Sequence, residues 1–355
     1  MVARHPIAGK IAFRQRARRL IFMSTNSMSL PGGLAEIHIK GKTALVPSAT
    51  IEKRTVIVTG KWLKMAVIRD QNLLEGDLVE NSDSFIGALK GSGLKADVFT
   101  FFQRPPDISP KFNFHFEWDN YAAVPITTFD KWWESLPQET RKNVRRSAKR
   151  GVTVKTVPYD EDFARGIHKL CNETPFRQGK PFWHFGKDFE TVQREHATFL
   201  ERSEFIGAYF NDELIGFIKM VYVDRIAFIL HILGANAHYD KRPINALIAK
   251  AVEICAAKGV GYFVYDQYIY GNKTQSSLVE LKRRNGFVPV QFPRYYVPLT
   301  WKGKFAVALR LYRGAVGLLP APILKRALAA RNWLYEKAHK GSQPKPELET
   351  QENAT

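Results

Sequence analysis

Cysteine is nearly missing. Cys171 and Cys255 are the only two in 355 residues. Both lie in helix-like apolar surroundings, so they offer neither a disulfide framework nor metal-ligand spacing. They read as buried free thiols of a reducing compartment. No apolar run approaches the roughly 20 residues needed to span a bilayer. The patch Leu20-Ile-Phe-Met23 is too brief for the hydrophobic region of a secretory signal. Residues 35–128 contain no clustered Cys or His and no glycine-rich phosphate loop, which leaves that half a structural role and gives no metal site.

Acidic residues are also in short supply. There are 34 Asp and Glu against 53 Lys and Arg, a formal net charge of +19. The excess implies an anionic partner such as nucleic acid, a phosphorylated ligand or an acidic membrane surface; the alternative is good solubility alone. With 45% apolar and 12% aromatic residues, the chain can bury a sizeable core. Its length exceeds that of a usual single domain, so two domains or two fused halves are expected.

The pattern divides the chain into six segments. Residues 1–34 form a basic extension expected to be disordered, with Met23 and Met28 as alternative starts. Residues 35–128 read mostly as strands: Thr55–Thr59, Leu63–Ile68, Val98–Phe102 and Phe112–Trp118 running on to Ile126, with a helix between Ser82 and Leu89. Residues 129–153 form a basic helical link, and residues 154–300 a second half. Residues 301–340 are a basic tail in which Ile323–Lys337 has the pattern of an amphipathic helix, lying either at a membrane interface or against the body. Residues 341–355 are polar and expected to be disordered.

The linking helix, Pro137 to Arg150, starts at a proline and stops at Gly151. At about 100° per residue, Arg141, Lys142, Arg145, Arg146, Lys149 and Arg150 share one side, and Val144 and Ala148 lie on the other. A charge run is usually a solvated face. Here like charges four apart repel with few interleaved carboxylates, which favours an anionic partner.

Chemistry concentrates in the second half. Phe205–Phe210, Leu214–Val223 and Ile226–Leu233 read as strands joined by tight turns at Asn211-Asp212 and Asp224-Arg225. A helix from Pro243 to about Lys258 and a strand Tyr262–Tyr265 follow, and the latter can lie parallel to Ile226–Leu233. Ligands of such sheets sit beyond the carboxyl ends of parallel strands. That edge carries His231, Gly234, Lys241, Arg242, Asn245, Tyr265, Asp266, Asn272 and Lys273. The loop from Asn172 to Lys187 mixes aromatics with Glu173, Arg177, Gln178 and His184, so it either presents these groups to a ligand or is an ordered connection. Lys219 and His231 interrupt two apolar strands. A three-residue turn sets them opposite each other on one face, whereas a two-residue turn puts them on opposite faces.

Hairpin, helix, parallel strand, helix, then Asn285-Gly286-Phe287 resembles the GNAT acyltransferase fold, with Ile206-Gly-Ala-Tyr-Phe-Asn-Asp-Glu-Leu-Ile-Gly-Phe217 similar to its central hairpin. Arg141-Lys-Asn-Val-Arg-Arg-Ser-Ala-Lys-Arg-Gly-Val152 is similar to the FemAB-like branch. The resemblance implies an α+β chain of two fused GNAT-like halves, each a mixed, largely antiparallel sheet with flanking helices, plus a helical C-terminal tail. It implies an N-acyltransferase that uses aminoacyl-tRNA or acyl-CoA as co-substrate, with no tightly bound cofactor and an amine acceptor such as a cell-envelope precursor. It further implies a cytoplasmic protein, with attachment at the inner membrane face left open. Asp266, Tyr265 or His231 would take the proton, and backbone donors near Leu233-Gly234 would hold the oxyanion.

One departure bears on the donor. Tyr239-Asp-Lys-Arg-Pro-Ile-Asn-Ala246 replaces the glycine-rich pyrophosphate loop of the CoA-using members. Pro243 deletes an N–H, and the Cβ of Asn245 obstructs close approach. Lys241 and Arg242 remain to meet a phosphate. The other open reading is a degenerate GNAT-type adaptor that binds nucleic acid or acidic membrane through its basic face.

Overall fold

The computed structural model describes residues 33–39, 42–177, 180–269, 277–314 and 326. Most of the expected N-terminal extension, the polar tail, nearly all of the expected helix Ile323–Lys337, and Gln178, Asn272 and Lys273 therefore lie outside the described residues.

The first half contains β1 (Leu34–Ile39), β2 (Lys42–Ile51), β3 (Arg54–Thr59), β4 (Met65–Ile68), α1 (Ser82–Gly91), β5 (Val98–Phe102) and β6 (Phe116–Pro125). The link holds α2 (Phe129–Ser135) and α3 (Gln138–Lys149). The second half follows with β7 (Thr153–Val157), α4 (Glu161–Cys171), β8 (Phe176–Arg177), β9 (Lys180–Pro181) and α5 (Phe189–His196). It continues with β10 (Ser203–Phe210), β11 (Glu213–Val223), β12 (Ile226–Gly234), α6 (Pro243–Ala257), β13 (Tyr262–Val264), α7 (Ser277–Arg284), β14 (Val288–Pro298) and α8 (Trp301–Ala308).

The hairpin β10–β11–β12, helix α6 and strand β13 form where the apolar pattern placed them. The N-terminal strands hold except that β6 begins only at Phe116, and β2 and β14 are additional. Twelve strands share one sheet in the order β1-β2-β3-β4-β5-β14-β6-β13-β12-β11-β10-β7. Nine of its eleven pairings are antiparallel; the parallel ones are β4 with β5 and β12 with β13. The result is an α+β fold of two GNAT-like halves, each with a mixed, largely antiparallel sheet. β14, the last strand among the described residues, pairs with β5 on one side and β6 on the other, so residues 288–298 are built into the first half.

Local rules account for the helices that frame the site. α4 is capped by Asp160, whose carboxylate accepts from the Phe163 N–H at 2.8 Å. α6 opens on Pro243, where the missing N–H costs nothing. It ends as Gly259 takes φ +67° and the Val260 N–H returns to the Cys255 carbonyl at 3.0 Å. Leu247, Ile248, Ala251, Val252 and Cys255 of α6 are fully buried, because the helix is sandwiched between the sheet and α3. Each fully buried Leu or Ile there stabilises by roughly 1.5–3 kcal/mol relative to exposure. Cys171 and Cys255 are both buried free thiols, and burial pushes each up to about 12.

Candidate functional site

The candidate site is a gap in the sheet. β12 and β13 pair only over Ile226–Phe228 and Tyr262–Val264. β12 then runs on to Gly234 alongside β11, with a bulge at Leu230 that adds local twist. The chain beyond β13 follows β6 instead: the Tyr265 N–H donates to the Ala122 carbonyl at 2.8 Å and the Ala122 N–H to the Asp266 carbonyl at 2.7 Å. The Ile269 N–H then donates to Asn120 Oδ1 at 2.9 Å. Each strand is held by a different neighbour, and the two part.

The parting leaves β12 with an open edge. The Ala235 N–H donates to the Ile215 carbonyl at 2.8 Å, and Gly216 pairs with Gly234. By alternation along the ladder, Ile232 and Gly234 turn their N–H groups away from β11 and toward the gap. A Cβ on Gly234 would lie 3.0 Å from Ile244 Cδ1, so glycine also lets the strand end approach α6 closely.

Facing that edge is the turn after β13. Asp266 adopts φ +52°, and Lys282 of α7 lies behind it, fully buried. The Lys282 ammonium donates to the Gln267 carbonyl at 2.7 Å and stands 4.5 Å over the Tyr265 ring. Burial brings this lysine down to about 8, against the opposing pull of Asp266. Burial pushes the Tyr265 phenol up, and the charge of Asp266 adds to the shift. The Tyr265 phenol therefore keeps its proton at neutral pH. Among the described residues no group of His, Cys, Asp and Glu could hold a metal ion.

The strand-parting geometry, the order of elements and the interleaved β14 can be set against solved structures. The chain has the GNAT-type fold of FemX. The match to FemX has a TM-score of 0.50 at 11% identity and covers 77% of this chain and 90% of that one. L-PGS from Bacillus licheniformis matches with a TM-score of 0.45 at 12% identity, over 75% of this chain and 88% of that one. A tandem GNAT protein from the clavulanic acid biosynthesis pathway matches with a TM-score of 0.41 at 9% identity, over 76% and 85% of the two chains. No family model matches the sequence, and none of the curated proteins searched does.

Within the FemX-type frame several expected ligand-binding residues are occupied by the protein itself. Glu173 accepts from the Asn236 and Ala237 N–H groups at 2.8 and 2.9 Å. Arg177 pairs with Glu173 at 2.8 Å and donates to the Gly234 carbonyl at 2.7 Å. The two tie the helix α4 end and the following loop to the backbone of residues 234–237. Asn245 donates to Asn285 Oδ1 at 3.0 Å. Lys241 lies 3.6 Å from Asp240 and over the Phe210 ring, while Arg242 takes φ +56° and stacks on Tyr239. Arg150 also reaches Asp240, at 2.9 Å. The α6 N-terminus thus offers a partly neutralised cationic pair and lacks the Pro243 donor.

Lys219 and His231 are brought together, though by neither route read from the sequence. Their turn is the two-residue Asp224-Arg225, with Val223 opposite Ile226, yet Lys219 pairs directly with His231. The Leu230 bulge inserts the extra residue that shifts the register by one. Both side chains join His196 on the α4–α5 face of the sheet. Lys219 is fully buried and donates to the His196 carbonyl at 2.8 Å, to Thr198 Oγ1 at 3.0 Å and to the Thr198 carbonyl. The His196 and His231 rings lie 4.3 Å apart. Burial brings Lys219 down to about 7 and His196 to about 4, and it holds His231 well below its usual range. His184 of the covering loop, wedged against Trp183 and Phe182, falls to about 2 for the same reason. These histidines are neutral, weakly basic groups at neutral pH, and Lys219 is a pin under the hairpin.

The basic helix α3 packs on α6, and its buried Thr140 donates to the Arg284 carbonyl of α7 at 2.9 Å. Arg145 lies over the Trp133 ring and Arg146 donates to Asn143. Among the described residues only Arg150 of the six cations has an ion-pair partner.

Lys282 was not singled out in the sequence, where Lys282-Arg-Arg284 looks like one exposed charge run. The signal was helical spacing: Val279, Lys282 and Asn285 recur at three-residue steps, while Arg283 and Arg284 turn outward to Glu280 at 2.8 and 2.6 Å.

Proposed function

We propose that this protein is an N-acyltransferase that moves an acyl or aminoacyl group from an activated carrier to an amine. The observation that carries the reading is the parted β12–β13 pair, with backbone donors on one side and Tyr265, Asp266 and Lys282 on the other. The carbonyl of the donor lies in the gap, and the neutral amine attacks its carbon. As the C–N bond forms, the N–H groups of Ile232 and Gly234 receive the developing oxyanion. Asp266 takes the proton released by the amine. The carbonyl then re-forms, the bond to the carrier oxygen or sulfur breaks, and Tyr265 supplies the proton to that leaving atom. Lys282 holds Tyr265 and the Gln267 backbone in place and stabilises the negative charge that passes through the site.

The donor that fits best is aminoacyl-tRNA. Pro243 and the Arg242 conformation weaken the backbone grip on a pyrophosphate, whereas the unpaired cations of α3 suit a phosphate-rich polymer. The acceptor is an amine, for which a cell-envelope precursor is one class. Thermal-shift titration with acyl-CoAs and with charged tRNA tests this. The expected result is a shift with charged tRNA that weakens in Lys241→Ala; a shift with neither donor would sink the reading.

The free α3 cations also support a second reading, a non-catalytic adaptor for nucleic acid. It requires binding to be lost in Arg145→Ala/Arg146→Ala and turnover to be absent from the wild type.

A further inference from the structure

Helix α8 wears its apolar side outward. At about 100° per residue, Trp301, Phe305 and Leu309 fall within about 80° of one another. They are 82%, 57% and 51% exposed. Trp62, on the turn between β3 and β4, is 62% exposed beside them, with its ring 5.0 Å below the Lys302 ammonium. Lys304 and Lys302 flank the stripe on either side, and no acidic residue lies in the first turn of α8. Folded chains seldom leave so many large apolar groups together in water without a use for them.

The helix does not hang loosely. Thr300 caps it, accepting from the Gly303 N–H at 3.0 Å and donating to Asp97 Oδ1 at 3.1 Å. Lys302 reaches Asp97 at 3.4 Å and donates to the Trp62 carbonyl. Gly303 presses against the start of β5 so closely that a Cβ would lie 1.8 Å from the Asp97 carbonyl oxygen. Ala306 is fully buried beside it. Small residues face inward and large ones outward, the reverse of a helix that serves a core.

We propose that the α8 stripe, together with Trp62, docks this protein on an acidic lipid surface. Tryptophan and phenylalanine are suited to the boundary between headgroups and acyl chains, and flanking lysines meet anionic headgroups above them. The chain's charge of +19 adds long-range attraction to such a surface. Among the described residues no helix is long and apolar enough to cross a membrane. Attachment through α8 is therefore interfacial, and it is independent of the acyl-transfer reading.

The test is flotation of the full chain with vesicles of phosphatidylcholine, alone or with about 30 mol% phosphatidylglycerol. The wild type is expected to float with the acidic vesicles and not with the neutral ones. Trp301→Gln/Phe305→Gln, at exposed positions that leave the fold intact, should lower the partition coefficient at least about tenfold. Arg145→Gln/Arg146→Gln on α3 should keep most of the binding. The proposal is overturned if the α8 variant floats like the wild type or if the α3 variant loses all binding. It is also overturned if the wild type stays with neither vesicle and instead forms a dimer that the α8 variant abolishes, which would give the stripe to a second copy.

Discussion

Lys219→Met separates a structural pin from a catalytic group, and its effect on stability has a sign that can be worked out. In the folded protein burial brings the Lys219 ammonium down to about 7, against 10.5 for an ordinary lysine; its hydrogen-bond partners are the His196 and Thr198 carbonyls and the Thr198 hydroxyl, and the charge of Glu201 only partly opposes the shift. Between these values the unfolded chain holds the proton and the folded chain does not. Stability then rises with pH, because the unfolded state binds more protons. Below pH 7 both states are protonated and the contribution is flat. From pH 7 to 8.5 the gain is on the order of 1–2 kcal/mol and steepens with pH. Lys282, at about 8, adds a slope of its own, so the quantity to read is the wild type minus Lys219→Met. Urea denaturation at pH 7, 7.75 and 8.5 gives it. The variant should be less stable than the wild type at each pH, because the His196 and Thr198 carbonyls lose their donor, and the gap should widen with pH, by roughly 1–2 kcal/mol across the series. A gap that stays constant or narrows would refute the assignment of a buried lysine whose charged form is disfavoured by burial.

Three further outcomes are expected. Acidification from pH 6.5 toward 4 should destabilise the protein, because His196 stays neutral until about 4 when folded but takes up a proton at its ordinary value when unfolded; a urea series in that window checks the direction. Gly303→Ala should cost about 1–3 kcal/mol by forcing α8 off the Asp97 carbonyl, read as a fall in Tm. Arg145→Gln/Arg146→Gln should make log K for tRNA less steep in log salt by about 1.5 to 2, since each removed phosphate contact subtracts nearly one unit.

The fold around the site was legible because it rests on local pattern. Alternating apolar runs and two tight turns define β10, β11 and β12, and Pro243 and Gly259 bracket α6. What stayed hidden depends on long-range pairing. Nothing in Val288–Pro298 announces that this strand enters the sheet between β5 and β6, since its partners lie far back in the chain. The register of Lys219 against His231 turned on a bulge, and a bulged residue such as Leu230 has no compositional mark. The bonds of Glu173 and Arg177 to the backbone of residues 234–237 were not legible, because polar residues in a loop of aromatics read the same whether they present to a ligand or order a connection. Lys282 was hidden by the opposite effect, an inward charge beside two outward ones. The position of Tyr265 and Asp266 was legible because they directly follow a parallel strand, where the sheet opens.

The central claim is that the gap between β12 and β13 performs acyl transfer with Asp266 as the base. The most direct measurement is single-turnover loss of the donor ester from charged tRNA, with hydroxylamine as the amine probe, for the wild type and Asp266→Asn. The account predicts acceleration by the wild type and a loss of about 100-fold or more in Asp266→Asn with tRNA binding unchanged. Equal rates for the two proteins would contradict it, as would a wild type no faster than the uncatalysed reaction.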